Sequence, residues 1–507
     1  MSNKMNRRDI LAKLGLLGLT PQMVLSSCTK KESLNQRGEA PKSLGLSNKS
    51  DRKFLFVFGA MGGASINDSF LAVKNSECDY SETHNTFPDE WVKTVEGTQL
   101  RAVDLTTEDI GPLPFPVKSK QSAFLEKHAK EIMVTTMEHS TVSHPLGQKR
   151  FLTGNGAWNG RTMQEIIADT YGKGLILPNV NMSSLGFAEA GTDRTLPPEA
   201  VAEIISNPTF FTLGLHGYKG ISGAPEDDLM NLARSYRGEL EKNSKFYQTH
   251  ASNTRLRRWL DLRSNKQKKI ENANLIEKLL FFEESTDLPF SDFGINPTAN
   301  GSTVRELFPD IGADPLHTQA ALAYMLVTQG VSKAVAMGMG MNVTINGNDP
   351  SNPLLTNTPT GFDYSHNAHR ATQALLWNRT FDIIDRLITL LKKTEYGDGG
   401  TIWDNSMILI ATEFGRDKTR PKDAEEFPSG HHQNNGVAVI SPLVNGGKIL
   451  GGVDPNTLLT YGYDPKTGAS DKNRQMTEKE VFSGLLQALD VDTSPAKLPD
   501  MPIMKKG

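Results

Sequence analysis

An apolar run from Met407 to Ala411 stops abruptly at Thr412, Glu413, Phe414, Gly415 and Arg416. A polar loop follows and ends in Gly430, His431 and His432, before a second apolar run from Val437 to Ile440. Both apolar runs predict β-strands. Open α/β sheets bind ligands outside the carboxyl ends of their strands, so a strand that breaks into an acid, a glycine and an arginine marks a candidate site. Glu413, Arg416, His431 and His432 are its first members. The same residues also fit an Arg416–Glu413 ion pair that holds a loop beside exposed histidines, since paired charges are often structural.

The rest of the chain alternates strands with helices. Residues 54–58 predict a strand that runs into a glycine-rich turn, Gly59 to Gly63. The glycine spacing there is not that of a dinucleotide fingerprint. Residues 131–138 predict a second strand, leading into His139, Ser140, Thr141, Val142, Ser143 and His144. Pro145 then opens a helix, a position where proline is tolerated. Free backbone N–H groups at a helix start favour anions, so Ser143, His139 and His144 suit nucleophilic or metal chemistry. Alternatively, Ser143 caps the helix and the histidines bond locally. Further helices are expected at 162–172, 197–206, 316–330 and 477–491, and strands at 177–184 and 332–341. In the segment 361–369, Asp363, His366 and His369 have metal-ligand chemistry. A helix beginning near Ser365 and running to about Lys393 would place both histidines on one face. A capping aspartate with two surface histidines is the alternative. The alternation as a whole predicts a doubly wound α/β fold, a mainly parallel sheet with helices on both faces. Residues 223–285 are long, charged and amphipathic, and predict a helical insertion.

Net charge is −3 and the body carries no long basic cluster, which argues against nucleic acid as a partner. Two cysteines, Cys28 and Cys78, exclude a disulfide framework. The amino terminus reads as an address. Arg7 and Arg8 precede a modest apolar run that ends in Leu25-Ser26-Ser27-Cys28. This pattern is similar to a twin-arginine export signal with a lipobox. It implies cleavage before Cys28, a lipid on Cys28 as the membrane partner, and a periplasmic, outer-membrane location. Residues 29–52 are too polar to fold alone and read as a tether. The expected domain is 53–495, with 496–507 as a tail.

Four stretches in order resemble a bacterial family catalogued as domain of unknown function 1501. They are FLFVFGAMGGAS, HSTVSHPLGQKRFLTG, GFDYSHN, and ATEFGR followed by GHH and GGKILGG. The likeness spans about residues 50–490, and TEFGR is its most distinctive piece. That family in turn is similar to the alkaline phosphatase and sulfatase superfamily, whose enzymes hold divalent metals beside a nucleophile and cleave phosphate or sulfate esters. The resemblance implies a metal held by Asp363, His366 and His432, with Glu413 in place of a ligand aspartate and His431 where the family has aspartate. It implies His144 or Ser143 as nucleophile and Arg416 to steady the anion. Ala60 and Phe414 stand where the superfamily keeps an aspartate and a histidine, so one divalent ion is expected rather than two. Two functions follow: a hydrolase of anionic esters, or a non-catalytic lipoprotein that binds a glycan or a partner in the same cleft.

Overall fold

The computed structural model describes residues 53–105, 119–182, 190–214, 225–253 and 273–507, together with 256, 260, 269 and 270. Residues 159, 194, 297–299, 340–342, 346–354, 358–360 and 398 are excepted. The export signal with Arg7, Arg8 and Cys28 therefore lies outside the described residues. So do the tether, most of the run 255–269 and most of the loop 342–361.

Eight strands form the central sheet. They are β1 (Phe54–Ala60), β2 (Ile132–Glu138), β3 (Asn179–Asn181), β4 (Glu203–Ile204), β5 (Ala334–Met339), β6 (Ser406–Ala411), β7 (Asn434–Ile440) and β8 (Lys448–Leu450). Their spatial order is β8-β2-β7-β6-β1-β5-β3-β4. Every pairing is parallel except the two made by β7, which runs antiparallel to β6 and to β2.

The sheet is buried on both faces because its strands are apolar on both. Successive side chains point to opposite faces of a strand. Along β1, Phe54, Phe56 and Phe58 enter one core, and Leu55 and Val57 enter another. The principal helices are α1 (Gln121–His128), α2 (Met163–Tyr171), α3 (Asp227–Lys242), α4 (Lys245–His250), α5 (Pro315–Thr328), α6 (His369–Lys393) and α7 (Glu478–Ala488). Phe124 of α1, Leu322 of α5 and Ile384 of α6 join the first core. Ile166 of α2 and Leu485 of α7 join the second. The mixed α/β fold with a mostly parallel sheet is thus as expected. Among the described residues no helix is long and apolar enough to cross a membrane.

Local rules explain several helix starts. Thr162 and Glu165 form a reciprocal capping box at α2, as do Thr477 and Glu480 at α7. Asp314 caps α5, with Pro315 in its first turn.

Other expectations are corrected. Residues 197–206 are not a helix: Pro198–Ala200 make a single 3-10 turn, and the chain then forms the edge strand β4 against β3. Val201, Ile204 and Ile205 are β-branched and favour the extended form. The helix that carries His369 begins at His369, not near Ser365. Gly361–His366 form a 3-10 segment, and Ala368 is extended at φ −146°. Residues 496–507 pack onto the domain, with Met501 and Met504 wholly buried in the second core.

Candidate functional site

Because β7 opposes its neighbours, its first residues share a sheet edge with the last residues of β1, β2 and β6. That edge gathers the turn after β1, the segment His139 to His144 after β2, Thr412 to Arg416 after β6, and His431 and His432 before β7. A short ribbon pairs Gly415 with His432 and Arg416 with His431.

Asp363 is the focus of the edge. Its Oδ1 lies 2.8 Å from Arg416 Nη2 and 3.3 Å from His366 Nε2. The same oxygen is 3.4 Å from the Nε2 atoms of both His144 and His431. His366 Nε2 and His431 Nε2 are 2.8 Å apart. Burial favours the neutral carboxyl of Asp363, but the bonds from His144, His431 and Arg416 outweigh it and hold the group well below the usual carboxylate range.

The outer nitrogens of two imidazoles are committed elsewhere. His144 donates Nδ1–H to Glu413 Oε1 over 2.8 Å, and His431 donates Nδ1–H to the Val142 carbonyl over 3.1 Å. A histidine whose Nδ1–H is held this way presents its Nε2 lone pair, the arrangement of metal-ligating histidines with an outer hydrogen-bond partner. Two such lone pairs and a carboxylate repel one another unless positive charge lies among them. Protons can supply it. Burial alone would lower the His144 imidazole, yet its bonds to Asp363 and Glu413 push it up to about 9. A metal ion can also supply it. The ligand atoms of His144, Asp363 and His431 lie within 4.8 Å of one another. A tetrahedral shell with bonds of roughly 2.0–2.1 Å has edges of about 3.4 Å. The separations of 3.4 Å from Asp363 Oδ1 to His144 Nε2 and to His431 Nε2 match that edge. This His/Asp/His cluster could hold a metal ion.

Phe414 fixes the ring planes. It stacks on His431 at 3.9 Å between centroids and meets His144 edge-on at 4.8 Å.

The other sequence candidates take different places. Glu413 is wholly buried and faces away from the cluster. Its Oε1 accepts from Gly62 N, His144 Nδ1 and Gln148 Nε2. It orients His144 and is not among the three residues whose ligand atoms lie together. Gly147 permits this approach, since a Cβ there would come within 2.7 Å of the Glu413 carbonyl. Arg416 is fully buried, and its guanidinium donates to the carbonyls of Gly62, Phe362 and Ser429 as well as to Asp363. It staples three loops and faces inward. His432 lies on the opposite face of the ribbon from His431, and its Nδ1 accepts from Asn434 N. Adjacent strand residues point to opposite sides, so the structure places His431, not His432, in the cluster. His144 has both ring nitrogens engaged, and Ser143 is an exposed N-cap without a capping bond.

His139 is buried edge-on against Phe151, and burial pushes its imidazole down to about 3. His369 is wholly buried and bonds Asp68 at 3.1 Å. His366 and His369 therefore do not share a site. Two positioning residues carry no sequence signal. Gln373, on α6, bonds Ser65 N, the Gly63 carbonyl and Ser365 Oγ. Asn435 bonds Ile66 N and the carbonyls of Ala64 and Phe414. Together they fix the turn after β1 against the ribbon.

No protein-family model matches the chain, and no curated protein matches it.

Proposed function

We propose that the chain is an exported, lipid-anchored metalloenzyme that binds one divalent ion and hydrolyses phosphate or sulfate esters. The observation that carries this reading is the convergence of the His144 and His431 Nε2 atoms on Asp363 Oδ1, each at 3.4 Å, with all three ligand atoms within 4.8 Å of one another. His144, Asp363 and His431 would hold the ion. Three protein ligands with one open position is the pattern of catalytic rather than structural zinc-type sites. A bound divalent ion polarises ester oxygens and acidifies water at neutral pH. Glu413 keeps His144 in the ligating tautomer, and Phe414 holds the ring planes. Arg416 anchors the Asp363 loop. His366, whose side chain is 44% exposed, stands on the solvent side where substrate or water would enter. The resemblance to the domain of unknown function 1501 family, and through it to the sulfatase and alkaline phosphatase superfamily, supports the ester class. Arg7, Arg8 and Cys28 support export and lipidation.

One observation favours a second reading. Among the described residues a single carboxylate faces the cluster, beside a buried guanidinium, and His144 holds a proton up to about pH 9. Metal-free, the protonated His144 ring and the half-exposed His366 offer N–H donors and suit a non-catalytic protein that binds an anionic group of a glycan or partner.

Metal content separates the two. The mature chain with Cys28 replaced, purified from cells beside an Asp363→Ala variant, should carry near-stoichiometric metal that the variant lacks, and should cleave aryl phosphates or sulfates. Absence of metal from both, with phosphate or sulfate bound by the parent, would instead establish the anion-binding reading.

A further inference from the structure

A second cleft opens between α2, the loop 192–195 and the turn 491–495 that follows α7. Its volume is about 840 Å³, within the roughly 300–1,000 Å³ of ordinary small-molecule sites. Among the described residues its lining shares none with the cluster at Asp363. One part of the wall is apolar, made by Trp158, Ile166, Val491 and Pro495. The rest is polar, with Asp169, Thr170, Thr192 and Asp492 placed around the pair Arg161 and Asp193.

The wall is assembled in advance by local bonds. Trp158 and Arg161 form a β-bridge, and Arg161 N donates to the Trp158 carbonyl over 2.7 Å. Gly160, at φ +78°, lets the loop close on this turn: a Cβ there would strike Thr192 Oγ1, and Thr192 N donates to the Gly160 carbonyl over 2.8 Å. The Arg161 side chain is held as well. Its Nε donates to Asp193 Oδ2 over 2.7 Å, and its Nη1 lies 3.6 Å from Asp169 Oδ2. Asp193 Oδ1 accepts from both the backbone N–H and the hydroxyl of Thr195. A site ordered before its ligand arrives loses less entropy on binding.

The lining selects the class of ligand. Among the described lining residues three carboxylates stand against one guanidinium, so the cleft disfavours an anion. The Arg161 Cζ already stands 5.8 Å from the Trp158 ring centroid, where a cation would sit, and the remaining apolar wall is aliphatic. A neutral molecule with one apolar face and several hydroxyls fits both facts. The C–H face of a sugar ring packs on an indole as other flat apolar groups do. Its neighbouring hydroxyls need acceptors, and a carboxylate offers about four lone-pair positions. Asp492 is exposed, and its Oδ1 accepts one bond, from Ser494 N over 2.9 Å. Asp492 and Asp169 therefore keep room for hydroxyl donors, with the exposed Thr170 and Thr192 beside them.

We propose that this cleft binds a short neutral saccharide, with Trp158 as its stacking platform and Asp169 and Asp492 as acceptors for its hydroxyls. The site uses no metal. It gives the domain a docking point on a glycan that is independent of the chemistry at Asp363.

Calorimetric titration of the mature chain, with Cys28 replaced, against cellobiose, maltose, lactose, mannobiose and chitobiose tests this. At least one of these sugars should bind with a Kd on the order of 1 mM or tighter. Trp158→Ala and Asp492→Ala should each weaken that binding about 10-fold, and Asp363→Ala should leave it unchanged. Trp158 also packs against the second core. Should Trp158→Ala fail to fold, the exposed Asp492 still reads the site. Binding of none of the five sugars would overturn the proposal. Full-strength binding by Asp492→Ala, or its loss in Asp363→Ala, would overturn it as well. So would uptake of arginine or spermidine in place of the sugars, which would make the cleft a cation site.

Discussion

Glu413 holds His144 from inside the protein, its wholly buried Oε1 accepting the imidazole Nδ1–H over 2.8 Å. The carboxylate does not reach the cluster, so its effect on any bound ion passes through the ring. Glu413→Gln keeps the shape of the side chain and an acceptor oxygen but removes the charge. Metal affinity should fall about 10- to 100-fold, the usual effect of losing an outer partner of a ligating histidine. Competition with a chromophoric chelator measures this. Unchanged affinity would mean that His144 does not ligate.

His431 and His432 provide a sharper contrast. His431→Ala should remove bound metal, because its Nε2 is one corner of the shell. His432→Ala should leave metal content within about twofold, since it lies on the other face of the ribbon. Elemental analysis of the two purified variants decides the matter, and the reverse result would return the ligand role to His432.

The metal-free protein should depend on pH through His144. Its folded-state value of about 9 lies above the ordinary 6.5. A proton therefore binds the folded form more tightly, and the resulting stability is complete below about pH 6.5. It is lost as pH rises through 9. Roughly 2–3 kcal/mol should disappear across that window. Urea melts of the metal-free chain at intervals from pH 6 to 9.5, compared with His144→Gln, read this slope. Parallel curves for the two proteins would show that the bonds to Asp363 and Glu413 do not hold the proton.

Arg416 is a structural staple, and its planar fork serves carbonyls of three segments at once. Lysine carries the charge but not the fork. Arg416→Lys should destabilise the fold by about 3 kcal/mol, the usual scale for breaking a buried charge network. Loss of ester hydrolysis without loss of stability would instead return Arg416 to direct contact with the anion.

The sequence shows some of these features and hides others for physical reasons. The continuous apolar runs of β1 and β6 mark central strands, because only a sheet covered on both faces buries such runs. The break after Ala411 marks the sheet edge at which the cluster gathers, and Asp363, His366, His144 and His431 are all visible as candidates. Their roles are not. Which of two adjacent histidines enters the cluster depends on how the ribbon pairs Arg416 with His431, and this cross-chain register leaves no mark in local composition. The i, i+3 spacing of His366 and His369 matters only if one helix contains both, and a 3-10 segment ends at His366 instead. Glu413 resembles a ligand in sequence. Burial and the Gly62 N–H claim its oxygen for positioning. Gln373 and Asn435 are ordinary polar residues until the fold brings loop backbone to them.

The reversed direction of β7 gives the centre a parity. His431 reaches Asp363 only while the chain enters β7 in its present frame, with Asn434 opposite Glu138 and Asn435 opposite Met137. A slip of one residue turns every side chain of a strand to the other side. It would present His432 or Gly430 where His431 now stands, and withdraw Asn435 from the turn it clamps. The short stretch from His431 to Asn435 must therefore keep its spacing for the cluster to close, and an insertion or deletion of one residue there would open it.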